Sequence, residues 1–128
     1  RVSCFDLNSG SLVWAREITS AAGLAMDSRF VYVSDDKGAV HALDKASGAS
    51  LWKQDKLFLR RLTAPMPLRN LVVVGDVRGV VHFLNRDDGS FVARLPTDGS
   101  PLRAPLQRLG SNLLLQTSNG SVLAIEVQ

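Results

Sequence analysis

The sequence predicts an all-β fold, a β-propeller arc of about three four-stranded blades, and three observations support it. Glycines recur every 41 residues at Gly38, Gly79 and Gly120, which is the signature of an internal repeat. Runs such as residues 71–74 and 113–115 are apolar at every position, so both faces of these strands are expected to be buried. No amphipathic helix of useful length is visible. Repeated sheets that are buried on both faces must stack, and radial stacking of four-stranded sheets makes a propeller.

Each repeat also contains a tight turn that is followed by a large residue. The motif is an Asp or Asn, a Gly four residues later, and a Trp after four more residues. Its copies are Asp6–Gly10–Trp14, Asp44–Gly48–Trp52 and, with Ala in place of Trp, Asn85–Gly89–Ala93. The glycine supplies a positive φ, and the Asp or Asn side chain caps the turn. We expect the Trp ring to fill the gap between neighbouring blades. In the third copy of the motif, Ala93 places only a small side chain at that site.

Thirteen strands are predicted in a single partial propeller domain covering residues 1–128. They comprise residues 2–7, 11–17, 23–27, 29–34, 39–44, 50–54, 64–68, 71–75, 80–85, 90–95, 104–108, 113–117 and 121–127. We divide the chain into the outer strands of one blade (1–20), two blades (21–55 and 62–96) and a last blade that lacks its outer strand (102–128). Because propellers close with roughly four to eight blades, we expect an arc of a ring, completed by a preceding segment.

Composition excludes several functional classes. The 15 basic residues are scattered among 12 acidic ones, for a net charge of +3, so nucleic acid is not an expected partner. No run approaches the roughly 20 apolar residues of a membrane helix. The single cysteine, Cys4, excludes an internal disulfide and is assigned to core packing.

No catalytic, cofactor-binding or metal-binding residue is predicted. His41 and His82 each follow a repeat glycine by three residues, and Leu123 takes the same place in the last repeat. We therefore assign both histidines to repeat packing and expect no recurring pairing with a carboxylate. The acidic pairs at residues 35–36 and 87–88 lie in tight turns, where Asp is common. The sequence contains neither a nucleophile elbow nor a phosphate-binding glycine loop.

The connection between the second and third repeats, residues 53–65, is different because it mixes basic and apolar residues. Protein interfaces are enriched in arginine beside apolar side chains, although part of this loop must also plug the blade end. Since strands alternate in direction, this connection emerges on the same face as the hairpin turns that contain Gly38 and Gly79. The predicted partner-binding residues on this face are Lys56, Phe58, Arg60, Arg61, Asp76 and Arg78.

The Ala-Leu-Asp strand, with its Gly and Trp at fixed distances (residues 42–52), resembles the repeat of quinoprotein-type propellers. The Gly-His and Trp-Asp pairs of WD-repeat propellers are absent. Within that superfamily, residues 60–65, 71–94 and 111–126 resemble the C-terminal part of the BamB family, the lipoproteins of the outer-membrane β-barrel assembly machinery. The resemblance covers essentially the whole chain, about the last third of such a protein.

That resemblance implies an eight-bladed propeller at the periplasmic face of the outer membrane, held by an N-terminal lipid that this chain does not contain. It implies no catalysis and no bound quinone. The implied role is a scaffold that binds the POTRA domains of BamA and, through BamA, the other lipoproteins of the complex. Unfolded outer-membrane proteins are a further candidate partner. Arg60 is carried over as a BamA contact only as a hypothesis.

Two other functions remain open from the residues. A quinoprotein dehydrogenase would need residues near the ring axis that hold a planar quinone and a calcium ion. The inner strands at residues 23–27, 64–68 and 104–108 offer mostly small and apolar side chains instead. A ligand-sensing ectodomain would need a membrane helix elsewhere in the full chain. The N-terminal sequence of the full-length protein distinguishes the lipoprotein from the ectodomain.

Overall fold

The computed structural model describes residues 1–20 and 22–127, and every regular element among them is a β-strand. The strands are β1 (Val2–Phe5), β2 (Leu12–Arg16), β3 (Leu24–Met26), β4 (Phe30–Ser34), β5 (Val40–Asp44), β6 (Ser50–Gln54), β7 (Met66–Leu68), β8 (Leu71–Gly75), β9 (Val80–Asn85), β10 (Phe91–Pro96), β11 (Gln107–Leu109), β12 (Asn112–Gln116) and β13 (Val122–Glu126). Within those described ranges, no helix is long and apolar enough to cross a membrane.

The strands form four antiparallel sheets in which each strand pairs with its neighbour in sequence. The sheets are β1–β2, β3–β4–β5–β6, β7–β8–β9–β10 and β11–β12–β13. The predicted all-β fold class is confirmed. Two innermost strands are shorter or later than predicted: β7 begins at Met66 rather than at residue 64, and β11 begins at Gln107 rather than at residue 104. Pro65 and Pro105 lie in the displaced segments, and proline has no N–H to donate to a neighbouring strand.

The sheets stack face to face, and apolar side chains fill each gap between them. Val72 and Val74 of β8 pack with Tyr32 and Trp52 of the preceding sheet. Val73 points to the other side, into a cluster with residues of β12 in the following sheet. All three valines are fully buried. This arrangement explains why β8 is apolar at successive positions: both of its faces lie inside the protein.

Each tryptophan joins its own blade to the next one, as the repeat predicted. The indole Nε1 of Trp14 donates a hydrogen bond to the carbonyl oxygen of Lys45 at 2.9 Å, and Trp52 donates to the carbonyl oxygen of Arg86 at 2.7 Å. Both rings are almost completely buried. The aromatic rings therefore set the spacing between blades, and their N–H groups set the register.

One face of the stack collects the connections between blades together with the turns between the second and third strand of each blade. We call it the loop face; among the described residues it comprises 18–20, 35–39, 55–65, 76–79, 97–106 and 117–121. Backbone hydrogen bonds join the two kinds of segment in every repeat. They run from Asp36 N to Thr19 O, from Val77 N to Arg60 O and from Ser118 N to Pro101 O, each at 2.9 Å. The predicted location of the basic connection beside these turns is thereby confirmed.

Candidate functional site

The connection between β6 and β7 presents two large apolar side chains to solvent. Phe58 is 64% exposed and Leu59 is 72% exposed. Leu57, immediately before them, is buried in the cluster between the second and third sheets. The segment is therefore anchored by one leucine while its next two side chains project from the loop face. We call residues 57–61 the apolar tip.

Gly38 allows the apolar tip to approach the neighbouring turn. The N–H of Leu59 donates to the carbonyl oxygen of Lys37 at 3.2 Å, so the two backbones touch. A Cβ atom at Gly38 would meet the carbonyl oxygen of Leu57 and would lie 3.1 Å from the Cα of Phe58. Gly38 also has a φ of +89°, which a side chain would disfavour. A repeat glycine thus has a tertiary role here in addition to its role in the turn.

The backbone of the apolar tip is held in an unusual conformation. Leu59 and Arg61 have φ values of 62° and 52°, in the left-handed region that residues with a side chain seldom occupy. Each such residue costs on the order of 1–2 kcal/mol, so the surrounding contacts must over-determine it. The hydrogen bond from Arg60 N to Leu57 O, at 3.2 Å, closes the turn. The exposed side chains are consequently displayed from a constrained loop.

Behind the tip, Arg60, Asp76 and His82 form a continuous polar chain. The Arg60 Nη1 lies 3.1 Å from Oδ2 of Asp76, and His82 Nε2 lies 2.8 Å from the same oxygen. Asp76 and His82 are fully buried, whereas Arg60 is partly exposed. The other carboxylate oxygen of Asp76 accepts the N–H groups of Arg78 and Val80. Asp76 therefore ties the connection, the turn and the third strand of its blade together.

Burial and hydrogen bonding shift the pKa values of Asp76 and His82 in opposite directions. Burial alone would raise the pKa of Asp76, but the bonds from His82, Val80 and Arg60 outweigh it and hold that pKa below the usual value. Burial lowers the pKa of His82 more than the Asp76 carboxylate raises it, and nearby Arg60 and Arg94 add to the lowering. The His82 Nδ1 is buried and has no hydrogen-bond partner within residues 1–20 and 22–127. The arrangement favours an ionised Asp76 beside a neutral His82.

The same pairing occurs in the preceding repeat, which corrects the expectation that no carboxylate–histidine pair recurs. His41 Nε2 lies 2.7 Å from Oδ2 of Asp35, and Asp35 also accepts the N–H groups of Lys37 and Ala39. In both repeats the Asp comes three residues before the repeat glycine and the His three residues after it. The strand register places Val33 opposite His41 and Val74 opposite His82, so each Asp, two residues after the valine, is a diagonal neighbour of its His. The pairing was thus encoded locally, and it supports the assignment of both histidines to repeat packing.

The last repeat replaces this pair with a different carboxylate. Thr117 and Leu123 stand where Asp76 and His82 stand, and Asp98 reaches over from the preceding connection. Its Oδ2 accepts the hydroxyl groups of Thr117 at 2.6 Å and Ser121 at 2.7 Å, and its Oδ1 accepts that of Ser100. The Ser100 and Thr117 hydroxyls are the main cause of the strongly lowered pKa of Asp98. Thr117 still caps its own turn by accepting the N–H of Ser121 at 3.1 Å, and Asp98 binds the hydroxyl groups of both residues from another part of the chain.

The structure separates the six predicted partner-binding residues into two groups. Four are exposed on the loop face: Lys56, Phe58, Arg61 and Arg78. Arg60 is engaged internally, and Asp76 has no exposed surface, so these two position the connection from behind. Sequence reasoning passed over Leu59, although it adjoins Phe58, and Arg103, which lies in the next connection along the chain. Among residues 1–20 and 22–127, no three His, Cys, Asp or Glu side chains are grouped to hold a metal ion.

Consecutive four-stranded sheets, the Trp contacts between them and the 41-residue step define a β-propeller of the quinoprotein-repeat type. More specifically, the chain belongs to the BamB family: the family model described as outer membrane protein assembly factor BamB matches residues 1–128. The assembly factor BamB of Burkholderia pseudomallei is 44% identical over 122 residues, and that of Bordetella pertussis is 42% identical over 126. These alignments cover 95% and 98% of this chain but 32% and 33% of the relatives. The chain thus spans about a third of their length.

Solved structures agree with the family assignment. BamB from Moraxella catarrhalis superposes with a TM-score of 0.91 at 29% identity, over 98% of this chain and 38% of that one. A europium-containing methanol dehydrogenase superposes with a TM-score of 0.59 at 20% identity, over 72% of this chain and 20% of that one. The second likeness shows a shared repeat fold and nothing about chemistry.

Proposed function

We propose that this chain is part of a non-catalytic scaffold of the outer-membrane β-barrel assembly complex. In this proposal it binds the periplasmic POTRA domains of BamA and assists the folding and insertion of outer-membrane proteins. It acts at the periplasmic face of the outer membrane, where a lipid on the full-length protein anchors it. Family membership supports the assembly role, and the exposed apolar tip supports a protein partner.

The observation that carries a binding role is the pair Phe58 and Leu59. Two large apolar side chains, adjacent in sequence and mostly exposed, stand on a backbone that is locked by Gly38 and by left-handed residues. A preorganised loop loses little conformational entropy on binding, so its apolar contacts contribute more of their free energy to affinity. Lys56, Arg61 and Arg78 surround the pair with positive charge, as at the polar rim of a protein interface.

A direct binding measurement tests this assignment. The full-length protein carrying Phe58→Ser and Leu59→Asn is titrated against the isolated BamA POTRA domains by surface plasmon resonance. We expect the dissociation constant to rise about tenfold or more, since buried apolar anchors carry much of the energy of an interface. Asn is chosen at position 59 because it tolerates a positive φ, so the loop conformation is retained.

The matched control is Leu7→Asn, which removes an exposed leucine from a turn on the opposite face of the stack. It should leave the affinity for the POTRA domains unchanged. Equal affinity of the tip variant and the unaltered protein would remove the apolar tip from the interface. Equal weakening by both variants would show that a general loss of surface hydrophobicity, and not this loop, is responsible.

A further inference from the structure

A pocket opens on the loop face among three connections, and Ala22 borders it from the connection that leads into β3. Arg61 and Leu62 line it from the connection that leads into β7, and Leu102 and Arg103 line it from the connection that leads into β11. Its volume is about 380 Å³. Since β7 and β11 are the inner strands of their blades, the pocket lies at the inner end of two neighbouring sheets. We call it the arginine pocket.

The guanidinium groups of Arg61 and Arg103 form no polar contacts with the part of the chain that the structure describes. Neither guanidinium makes a hydrogen bond or an ion pair with the residues described, 1–20 and 22–127, and both side chains are exposed. Arg60, next in the chain to Arg61, is by contrast paired with Asp76. Among the residues that the structure describes, no carboxylate lines the pocket. Two positive charges therefore share one cavity without a counter-charge from that part of the chain.

The nearby carboxylates are already engaged elsewhere. Asp76 is buried and held by Arg60 and His82. Asp98 accepts the hydroxyl groups of neighbouring serine and threonine residues. Arg60 offsets the charge of Asp76, whereas Asp98 stays ionised and directs both of its oxygens to its hydroxyl partners. Neither carboxylate is among the described residues that line the pocket.

The pocket also has an apolar side, next to the constrained backbone of Arg61. The φ of Arg61 is 52°, in the left-handed region that a residue with a Cβ seldom occupies. Leu62, Val77 and Leu102 add an apolar wall beside the two guanidinium groups. The pocket therefore combines two cations with an apolar surface.

We propose that the arginine pocket binds an acidic side chain of an extended protein segment, with Arg61 and Arg103 holding the carboxylate and Leu62 and Leu102 contacting its apolar neighbour. Guanidinium groups form paired, charge-assisted hydrogen bonds with carboxylates, which gives such a site both affinity and directional specificity. A cavity of this size accommodates a short segment and excludes a folded domain. The inference goes beyond the proposed function, because it assigns an acidic extended segment to a cavity, whereas the proposed function rests on the exposed pair Phe58 and Leu59.

A peptide pair tests the proposal on the full-length protein. The probe is a blocked five-residue peptide with one glutamate between two leucines, and its twin has glutamine in place of glutamate. We expect fluorescence anisotropy to show at least tenfold tighter binding of the glutamate peptide. The Arg61→Gln/Arg103→Gln double variant should bind both peptides equally weakly, and each single variant should fall between the double variant and the unaltered protein.

Arg69→Gln is the matched control, because Arg69 is also exposed and also has a positive φ, of 57°, but lies in the β7–β8 turn on the opposite face. It should bind the glutamate peptide as the unaltered protein does. Equal affinity for the two peptides, or equal loss in the Arg69 variant, would overturn the proposal. So would displacement of the peptide by inorganic phosphate at the peptide's own concentration, since the site would then bind any small anion. The two tests are distinguishable although Arg61 belongs to both sites, because the Phe58→Ser/Leu59→Asn variant of the first test keeps Arg61 and Arg103 unaltered.

Discussion

The indole ring of Trp52 lies directly against the backbone of Gly89 in the next blade. A Cβ atom on Gly89 would stand 2.7 Å from Cδ2 of the ring, which is too close for two non-bonded carbon atoms. Gln54 donates a side-chain hydrogen bond to the carbonyl oxygen of Gly89 at 2.8 Å, two residues beyond the tryptophan. Trp14 and Gly48 repeat the same contact one blade earlier. The turn glycine is therefore a docking surface as well as a turn residue.

Replacing Gly89 with alanine should destabilise the protein through two separate effects. The φ of +75° disfavours any side chain by about 1–2 kcal/mol, and the clash with Trp52 adds about 1–3 kcal/mol of overpacking. Gly10→Ala is the matched control, because Gly10 has a φ of +71° but nothing within 4 Å of its added Cβ. Urea denaturation should show a larger decrease for Gly89→Ala. Equal decreases would mean that the Trp52 contact adds nothing to the backbone effect.

Arg60→Ala should lower the free energy of unfolding by about 2–3 kcal/mol, because it removes a cation from the fully buried Asp76. This expected loss is smaller than the loss on breaking a fully buried ion pair, since the Arg60 side chain is partly exposed and His82 still bonds the Asp76 carboxylate. In the control Arg78→Ala, only the backbone N–H touches Asp76, and that group is retained. We expect the Arg78→Ala change at this exposed residue to lower the free energy of unfolding by less than about 0.5 kcal/mol. Thermal melting of both variants checks the difference, and an unaffected Arg60 variant would contradict the structural role of the pair.

Stability should fall on mild acidification because of His82. Its pKa is lowered in the folded protein from an ordinary value of 6.5, so the unfolded chain takes up the proton first. The stabilisation is complete above pH 6.5 and is lost as the pH falls from there through the lower, folded pKa. Asp76, whose pKa is also lowered, loses its contribution only below its ordinary value of 3.8. The His82 window therefore opens at a higher pH than the Asp76 window.

The His82→Leu variant tests the contribution of His82 to the loss of stability at low pH. Leucine suits this position, because the last repeat carries Leu123 at the equivalent place. Urea midpoints measured from pH 7.5 down to pH 4.5 should decline less in this variant than in the unaltered protein. His41→Leu retains His82 and should keep the decline. If the His82 variant lost stability as steeply as the unaltered protein, another group would be responsible for the acid sensitivity.

The effects on stability of substitutions at Asp98 and at Thr117 should be strongly coupled. Asp98→Ala removes the acceptor for the Thr117 and Ser121 hydroxyls and should destabilise the last sheet. Thr117→Asp alone should also destabilise it, because it places two carboxylates together. Combined, the two changes restore the arrangement of the earlier repeats, in which an Asp at this place caps its own turn. Hydrogen exchange of β12 and β13 should show more protection in the double variant than in either single variant; additive losses would refute the coupling.

The predictable part of the candidate site is the part encoded at short range. Phe58, Lys56 and Arg61 stand out because a connection between strands rarely combines bulky apolar and basic residues without a partner. The locked conformation of the tip was not predictable, because it depends on Gly38, some 20 residues earlier in the chain. Asp76 was predicted on the correct face, but its complete burial follows from the packing of Arg60 and His82 around it.

The sequence by itself determined the strands, the turns and the repeat. Alternation of short apolar segments with Gly and Asp turns is a local property. Because this pattern repeats about every forty residues, it produces several similar sheets, and these sheets must stack. Only the tertiary structure decided that Arg60 faces inward while Arg61 and Arg103 line one pocket, and that Asp98 binds the hydroxyl groups of Thr117 and Ser121. These relationships join groups from different repeats or from separate turns. They exist only once the blades have packed, since no local pattern records which side chains a neighbouring blade will bring within reach.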